Sequence, residues 1–178
     1  MSVTTGLLLT LMYASCYGQW MTVYDQHFQI QCPDQQVIKT LVSQSDNHYE
    51  DRVWNMTCVA PPNEIRLGEC LWSGYINNFD ELFEFQCPED RVIAGIEAIH
   101  DNYYEDRKFS FKCCAPQGAV AHSCAFTPYV NDYDQMFNYR VPDGFVIKGI
   151  DSQNNNYYED RIFKFEICKL DHSTIVGK

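Results

Sequence analysis

Basic side chains are scarce in this chain. It carries 13 Lys and Arg against 24 Asp and Glu, a net charge of −11, and no charged residue falls within positions 1–18. Nucleic acid and anionic membrane surfaces are held by Lys and Arg that neutralise phosphates. A dispersed set of basic residues on an acidic chain argues against both, and no nucleic-acid partner is expected. No stretch approaches the ~20 apolar residues of a bilayer-spanning helix, so no transmembrane segment is expected, and no lipid-attachment or retention signal is present. There is no C-x-x-C pair and the five His are scattered, which argues against zinc. G-x-S-x-G, the P-loop and H-E-x-x-H are all missing, and no capped amphipathic helix can be traced.

What the chain has instead is repetition. D-N-H-Y-E-D-R (Asp46–Arg52), D-N-Y-Y-E-D-R (Asp101–Arg107) and N-N-Y-Y-E-D-R (Asn155–Arg161) are three copies of one phrase. Each runs into an alternating apolar stretch: V-W-N-M-T-C, K-F-S-F-K-C-C and I-F-K-F-E-I-C. An aromatic-Asp step precedes each copy (Tyr24-Asp25, Phe79-Asp80, Tyr133-Asp134), always 26 residues before the Asp of E-D-R. The unit of about 55 residues is therefore triplicated, with repeats at about 20–62, 72–118 and 126–172.

Each unit reads as short strands. Phe28, Ile30 and Cys32 alternate, as do Phe83, Phe85, Cys87 and Phe137, Tyr139, Val141, and each set ends at a Pro (Pro33, Pro88, Pro142). Next comes a β-branched segment (V-I-K-T-L-V, V-I-A-G-I-E-A-I, V-I-K-G-I), then the acidic loop and the alternating strand. The expected fold is all-β: a single disulfide-bonded domain with pseudo-threefold symmetry, trefoil- or prism-like, closed so that sheet edges are not left exposed.

Residues 7–12 form a short apolar run, and Cys16 and Gly18 supply small residues before Gln19. We read residues 1–18 as a signal peptide and 19–178 as the secreted domain. Removing Cys16 leaves Cys32, Cys58, Cys70, Cys87, Cys113, Cys114, Cys124 and Cys168, an even set expected to form four bridges. Cys32 and Cys58 match Cys87 and Cys113, and both positions turn apolar together in the third copy (Val141, Ile167), as a bonded pair would. Cys113 and Cys114 point to opposite strand faces; either could take Cys87 and leave the other for Cys70, and Cys124–Cys168 follows by elimination.

The acidic loops have two readings. Asp51-Arg52, Asp106-Arg107 and Asp160-Arg161 suit a scaffold in which Asp bonds backbone amides and Arg reaches a carbonyl or carboxylate of a neighbouring unit. The same loops also offer one ligand site per repeat, with Glu50, Asp51, Arg52, Tyr104, Glu105, Asp106, Arg107, Tyr158, Glu159, Asp160 and Arg161 as candidates and Tyr49, Tyr104 or Tyr158 stacking on a sugar face. Asp46, Asn47, Glu50 and Asp51 present hard oxygens of the kind calcium takes, but Asn155 replaces the acid in the third copy and each loop holds an opposing Arg, so no cofactor is expected. Paired carboxylates serve glycoside hydrolysis, yet a catalytic pair occurs once, in one cleft, and triplication argues against an enzyme. Tyr104 and Tyr158 lie beside acids, a setting for tyrosine sulfation. Asn55-Met56-Thr57 is the one N-x-[ST] sequon, with Asn55 placed for glycosylation if it faces water.

D-R-x-[WF]-x-[FM] followed by Cys, three times over with Cys113-Cys114 in the second copy, resembles the dermatopontin family across essentially the whole domain. D-N-H-Y-E-D-R-V-W-N-M and Y-I-N-N-F-D are similar to its invertebrate haemagglutinin/amebocyte aggregation factor branch. The resemblance implies a secreted protein of body fluid or matrix, and the pairing Cys87–Cys114 with Cys70–Cys113. Residues 19–27 lack the long Tyr-rich acidic tail of the vertebrate members, and their extra C-terminal bridge has no counterpart. The expected function is that of a non-enzymatic, lectin-like agglutinin in the extracellular space, promoting cell aggregation through multivalent glycan or glycosaminoglycan binding. The alternative is a structural matrix protein that binds collagen or proteoglycan and supports adhesion.

Overall fold

The computed structural model describes residues 20–176, with side chains as far as 174; the signal peptide read at 1–18 lies outside the described residues. The described residues form eleven strands: β1 (Phe28–Gln31), β2 (Val37–Asp46), β3 (Asp51–Val59), β4 (Leu67–Trp72), β5 (Phe83–Gln86), β6 (Val92–Asp101), β7 (Asp106–Pro116), β8 (Ala119–Phe126), β9 (Phe137–Arg140), β10 (Phe145–Asn155) and β11 (Asp160–His172). The only helical pieces among the described residues are a 3-10 turn at Pro62–Glu64 and a four-residue helix, α1, at Ser173–Val176.

Each repeated phrase sits at the tip of a long hairpin: β2–β3, β6–β7 and β10–β11. The short strand that opens each unit does not join its own hairpin. β1 pairs with β6, β5 with β10 and β9 with β2. First unit lends to second, second to third and third to first, so the three sheets (β1-β6-β7-β4, β5-β10-β11-β8 and β3-β2-β9) are linked in a cycle. Each hairpin carries a register shift at the same place, next to Lys39, Ala94 and Lys148. The carbonyls of those residues accept the amides of Val141, Cys32 and Cys87 at 2.8–2.9 Å, which extends each lent strand by one bond. Gly149 follows one bulge because a Cβ there would lie 2.8 Å from the Phe85 carbonyl oxygen.

The alternating residues after E-D-R meet in the middle. Trp54, Phe109 and Phe163, one per unit and each about 2% exposed, stand edge-to-face with centroids 6.2, 5.3 and 6.1 Å apart. Phe28, Phe83 and Phe137 pack outside them, and Leu41, Ile96 and Ile150 belong to the same core. A smaller cluster of Val37, Val92, Val146 and Leu170 forms a second core group.

β4 and β8 were not foreseen from sequence. L-G-E-C-L-W and A-V-A-H-S-C-A-F alternate weakly and fall between the repeats, yet they flank β7 and β11 as fourth strands. Their cysteines fix the bridges: Cys32–Cys58 and Cys87–Cys113 span 26 residues, and Cys70–Cys114 and Cys124–Cys168 span 44. The pairing implied by family resemblance, Cys87–Cys114 with Cys70–Cys113, is therefore corrected. Cys113 turns into the main core beside Cys87, whereas Cys114 turns to the other face and stands directly across from Cys70. Where the third unit has no such bridge, Val141 and Ile167 fill the space with apolar atoms. Cys70→Ser should accordingly free one thiol, and alkylation with peptide mapping should place it at Cys114; a label at Cys113 would contradict the structure.

Candidate functional site

The loops are shaped by the first residue of each phrase. The side-chain oxygens of Asp46, Asp101 and Asn155 accept the amides of His48, Tyr103 and Tyr157, all at 2.9 Å. Their carbonyls take the amides of Tyr49, Tyr104 and Tyr158 at 3.0–3.1 Å. Only an acceptor oxygen is needed, so Asn serves where the other units have Asp. Glu50, Glu105 and Glu159 then return the chain in the left-handed region, at φ 48°, 44° and 45°, a conformation that a non-glycine residue holds only when its surroundings fix it.

The next two residues of each phrase join the units. Arg107 of the second unit grips Asp51 of the first with both carboxylate oxygens engaged, at 2.7 and 2.6 Å. Arg161 grips Asp106 at 2.6 and 2.7 Å, and Arg52 grips Asp160 at 2.6 and 2.7 Å. Each Asp also accepts an amide from the aromatic-Asp step of its own unit, Asp25, Asp80 or Asp134, at 2.8 Å. The constant 26-residue spacing is thus the separation between the two ends of a hydrogen bond. Each Arg donates once more across the boundary, Arg107 to the Gln26 carbonyl, Arg161 to Glu81 and Arg52 to Gln135, at 2.9–3.0 Å. All six side chains are only 2–4% exposed. The Asp and Arg side chains expected among the ligand-binding candidates are therefore occupied with one another. Breaking such a pair from one side leaves a buried charge uncompensated. Arg107→Met should lower stability by about 3–5 kcal/mol in urea unfolding; a loss under about 1 kcal/mol, the range of a surface pair, would contradict the buried ring.

Glu50, Glu105 and Glu159 line a pit above this ring, floored by Trp54, Phe109 and Phe163. The space within it that a water-sized molecule can occupy is about 20 Å³. Ligand pockets usually run ~300–1,000 Å³, so a sugar ring does not fit inside and contact falls to the rim. Burial, then Glu50, Asp80 and Glu105, push the Glu159 carboxyl above its ordinary value of 4.5. Burial likewise raises Glu105, with His100 opposing and Glu50 and Asp25 adding to the rise. An acid whose folded pKa is raised costs stability as pH climbs from the ordinary value through the folded one. Glu159→Gln should therefore raise the melting temperature at pH 7, and the gain should vanish near about pH 3, where both states are protonated; an equal gain at both pH values would refute this.

Around the rim the two repeated sequence features meet. Tyr24 stacks on Tyr49, Phe79 on Tyr104 and Tyr133 on Tyr158, with centroids 4.6–4.9 Å apart and planes within 12°. Against each stacked tyrosine a second ring stands edge-on at 5.0 Å: His48, Tyr103 and Tyr157. Tyr103 and Tyr157 are 84% and 86% exposed, and Tyr104 and Tyr158 are about half as exposed. Each unit so presents an L-shaped aromatic corner. Tyr49, Tyr104 and Tyr158 were expected as stacking residues; Tyr103, Tyr157, His48 and the stacked partners Tyr24, Phe79 and Tyr133 were not. The repeated aromatic-Asp step was the signal that could have found the partners.

His100 occupies the place held by Ser45 and Asn154 in the other units. Its ring is fully enclosed, with nitrogens 3.9 Å from Asp25 and 3.7 Å from Glu105. Among the described residues, Asp25, Asp51 and His100 form the one group of potential metal ligands outside the disulfides. Both Asp51 oxygens already hold Arg107, so the cation beside this group is a guanidinium. The loop oxygens weighed for calcium do not converge in this way: Asp46 turns to the His48 amide and Asp51 to Arg107. Asn55, in the middle of β3, is half-buried.

The family model described as Dermatopontin matches residues 22–172. The chain belongs to the dermatopontin family. It is 43% identical over 145 residues to Millepora cytotoxin-1 of Millepora dichotoma, covering 82% of this chain and 64% of that protein. It is 37% identical to the hemagglutinin/amebocyte aggregation factor of Limulus polyphemus, over 85% of this chain and 87% of the relative. Identity to the dermatopontin of Biomphalaria glabrata is 38%, over 81% and 95%. No solved structure matches this dermatopontin-family chain.

Proposed function

We propose that this dermatopontin-family protein is a secreted, non-enzymatic agglutinin that joins cells by holding surface glycans in its three aromatic corners. The observation that carries the reading is the corner itself: two rings set edge to face on the loop of each unit around one acidic pit, the outer ring almost wholly exposed in the second and third units. An exposed ring face suits the C–H face of a sugar, and carboxylates beside it accept sugar hydroxyls in charge-assisted bonds. The relative named as a hemagglutinin and aggregation factor supports the same class of activity. Secretion fits the four disulfides, and no helix among the described residues is long and apolar enough to cross a membrane. A catalytic role lacks support, because the Asp carboxylates are locked by Arg and the acidic loop recurs in all three units, where a catalytic pair occurs once in one cleft.

Three linked sites convert later contacts into intramolecular ones, and avidity can exceed single-site affinity by about 10²–10⁴-fold. Weak corners therefore suffice. Tyr103→Ala with Tyr157→Ala should raise the minimum agglutinating concentration at least about tenfold while the melting temperature stays unchanged, since both rings project into solvent. Full agglutination by the double variant would refute the corner as the site. Tight binding to collagen or proteoglycan without any agglutination would favour the matrix reading, which the similarity to dermatopontins named as such supports.

A further inference from the structure

The charge around the corners points to which glycans they take. Within the ring the three Asp and three Arg cancel pair by pair. What remains on the same loops is negative: Glu50, Glu105 and Glu159 at the pit, Asp46 and Asp101 in the turns, and Asp25, Asp80 and Asp134 next to the stacked rings. Among the described residues, the one Lys or Arg seated on a stacked corner ring is Lys108, whose Nζ lies 4.5 Å over Phe79. Its places in the first and third units hold Val53 and Ile162. His100 is enclosed between Asp25 and Glu105 and turns no face to a ligand.

Resting on the glycan reading above, we propose that the corners select uncharged saccharides and reject sulfated and carboxylated ones, including glycosaminoglycans. Sulfated chains are held by clusters of Lys and Arg that displace the counterions condensed on the chain. Here such a chain would bring its charges against unpaired carboxylates, on a protein of net charge −11. Charges interact over ~8 Å at physiological salt, and these acids lie on the same loops as the rings, so a sulfate brought to a corner meets them at short range. An uncharged sugar meets no such penalty and offers the hydroxyl donors that free carboxylates accept. Discrimination thus comes from like charge placed against the wrong ligand, with the aromatic face common to both.

The third unit supplies the means of testing this without disturbing the loops. Asn155 makes the same turn bond as Asp46 and Asp101, so Asp46→Asn with Asp101→Asn removes two charges and keeps the turns. Binding of the full chain would be measured by surface plasmon resonance against neoglycoproteins bearing galactose, mannose or N-acetylglucosamine, and against heparin and chondroitin sulfate, at 50 and 300 mM NaCl. At least one uncharged probe should bind in a Tyr103- and Tyr157-dependent way, with affinity changing less than about twofold between the two salts. Heparin and chondroitin sulfate should not bind the wild type at roughly 0.1 mM. The Asp-to-Asn variant should keep uncharged-probe binding and strengthen any residual heparin signal at low salt. Heparin binding by the wild type through the same tyrosines, falling steeply with salt, would overturn the selectivity and leave the glycan reading standing. Failure of every saccharide to bind a protein that still agglutinates would overturn the glycan reading itself.

Discussion

The fold depends on a carboxylate handed from each unit to the next. Asp51 belongs to the first unit but is completed by Arg107 of the second; Asp106 is completed by Arg161, and Asp160 by Arg52. A buried ion pair recovers its desolvation cost only when geometry is good and the remaining lone pairs are satisfied. The geometry is good in all three pairs, with two short bonds from each guanidinium and a third to each carboxylate from a backbone amide of the aromatic-Asp step. This satisfies the carboxylates, although Nη1 of Arg52 and of Arg161 finds no acceptor among the described residues. No unit holds its own Asp and Arg together. The E-D-R phrase therefore has its partners only when the cycle is complete, which ties all three hairpin tips to one cooperative structure.

The lent strands repeat that logic lower in the molecule. β1, β5 and β9 each complete a neighbour's hairpin, and the axial rings of Trp54, Phe109 and Phe163 need one another to be buried. Charge, backbone and core thus share one connectivity. The outcome at the surface is a set of loops held so firmly that three Glu keep left-handed backbones. On them, exposed rings such as Tyr103 and Tyr157 can be presented without contributing to stability. A rigid scaffold carrying exposed loop residues is the usual division between structure and binding.

Much of this was legible in sequence. Period-two alternation after E-D-R gave the core strands, and the joint loss of Cys at Val141 and Ile167 gave the Cys32–Cys58 pair. Arg reaching a carboxylate of a neighbouring unit was foreseen from the triplication. The direction of exchange was not legible, because F-Q-I-Q would pair equally well with its own hairpin and only the tertiary packing chooses the next one. β4 and β8 escaped because their alternation is weak and their places are fixed by the bridges Cys70–Cys114 and Cys124–Cys168. The same register across β4 and β7 decides which of two adjacent cysteines goes where, something that spacing left open. The aromatic corners escaped for a different reason: their two halves lie about 25 residues apart, and only the amide-to-Asp bond of each unit brings them together.

The proposed division of labour has the buried Asp–Arg ring build one molecule and the three rim corners hold glycan. Stoichiometry tests it most directly. Native mass spectrometry of the folded protein with an uncharged oligosaccharide should show a series of one, two and three bound ligands per chain. Saturation at a single ligand, or a bound ligand that survives loss of the exposed tyrosines, would contradict it.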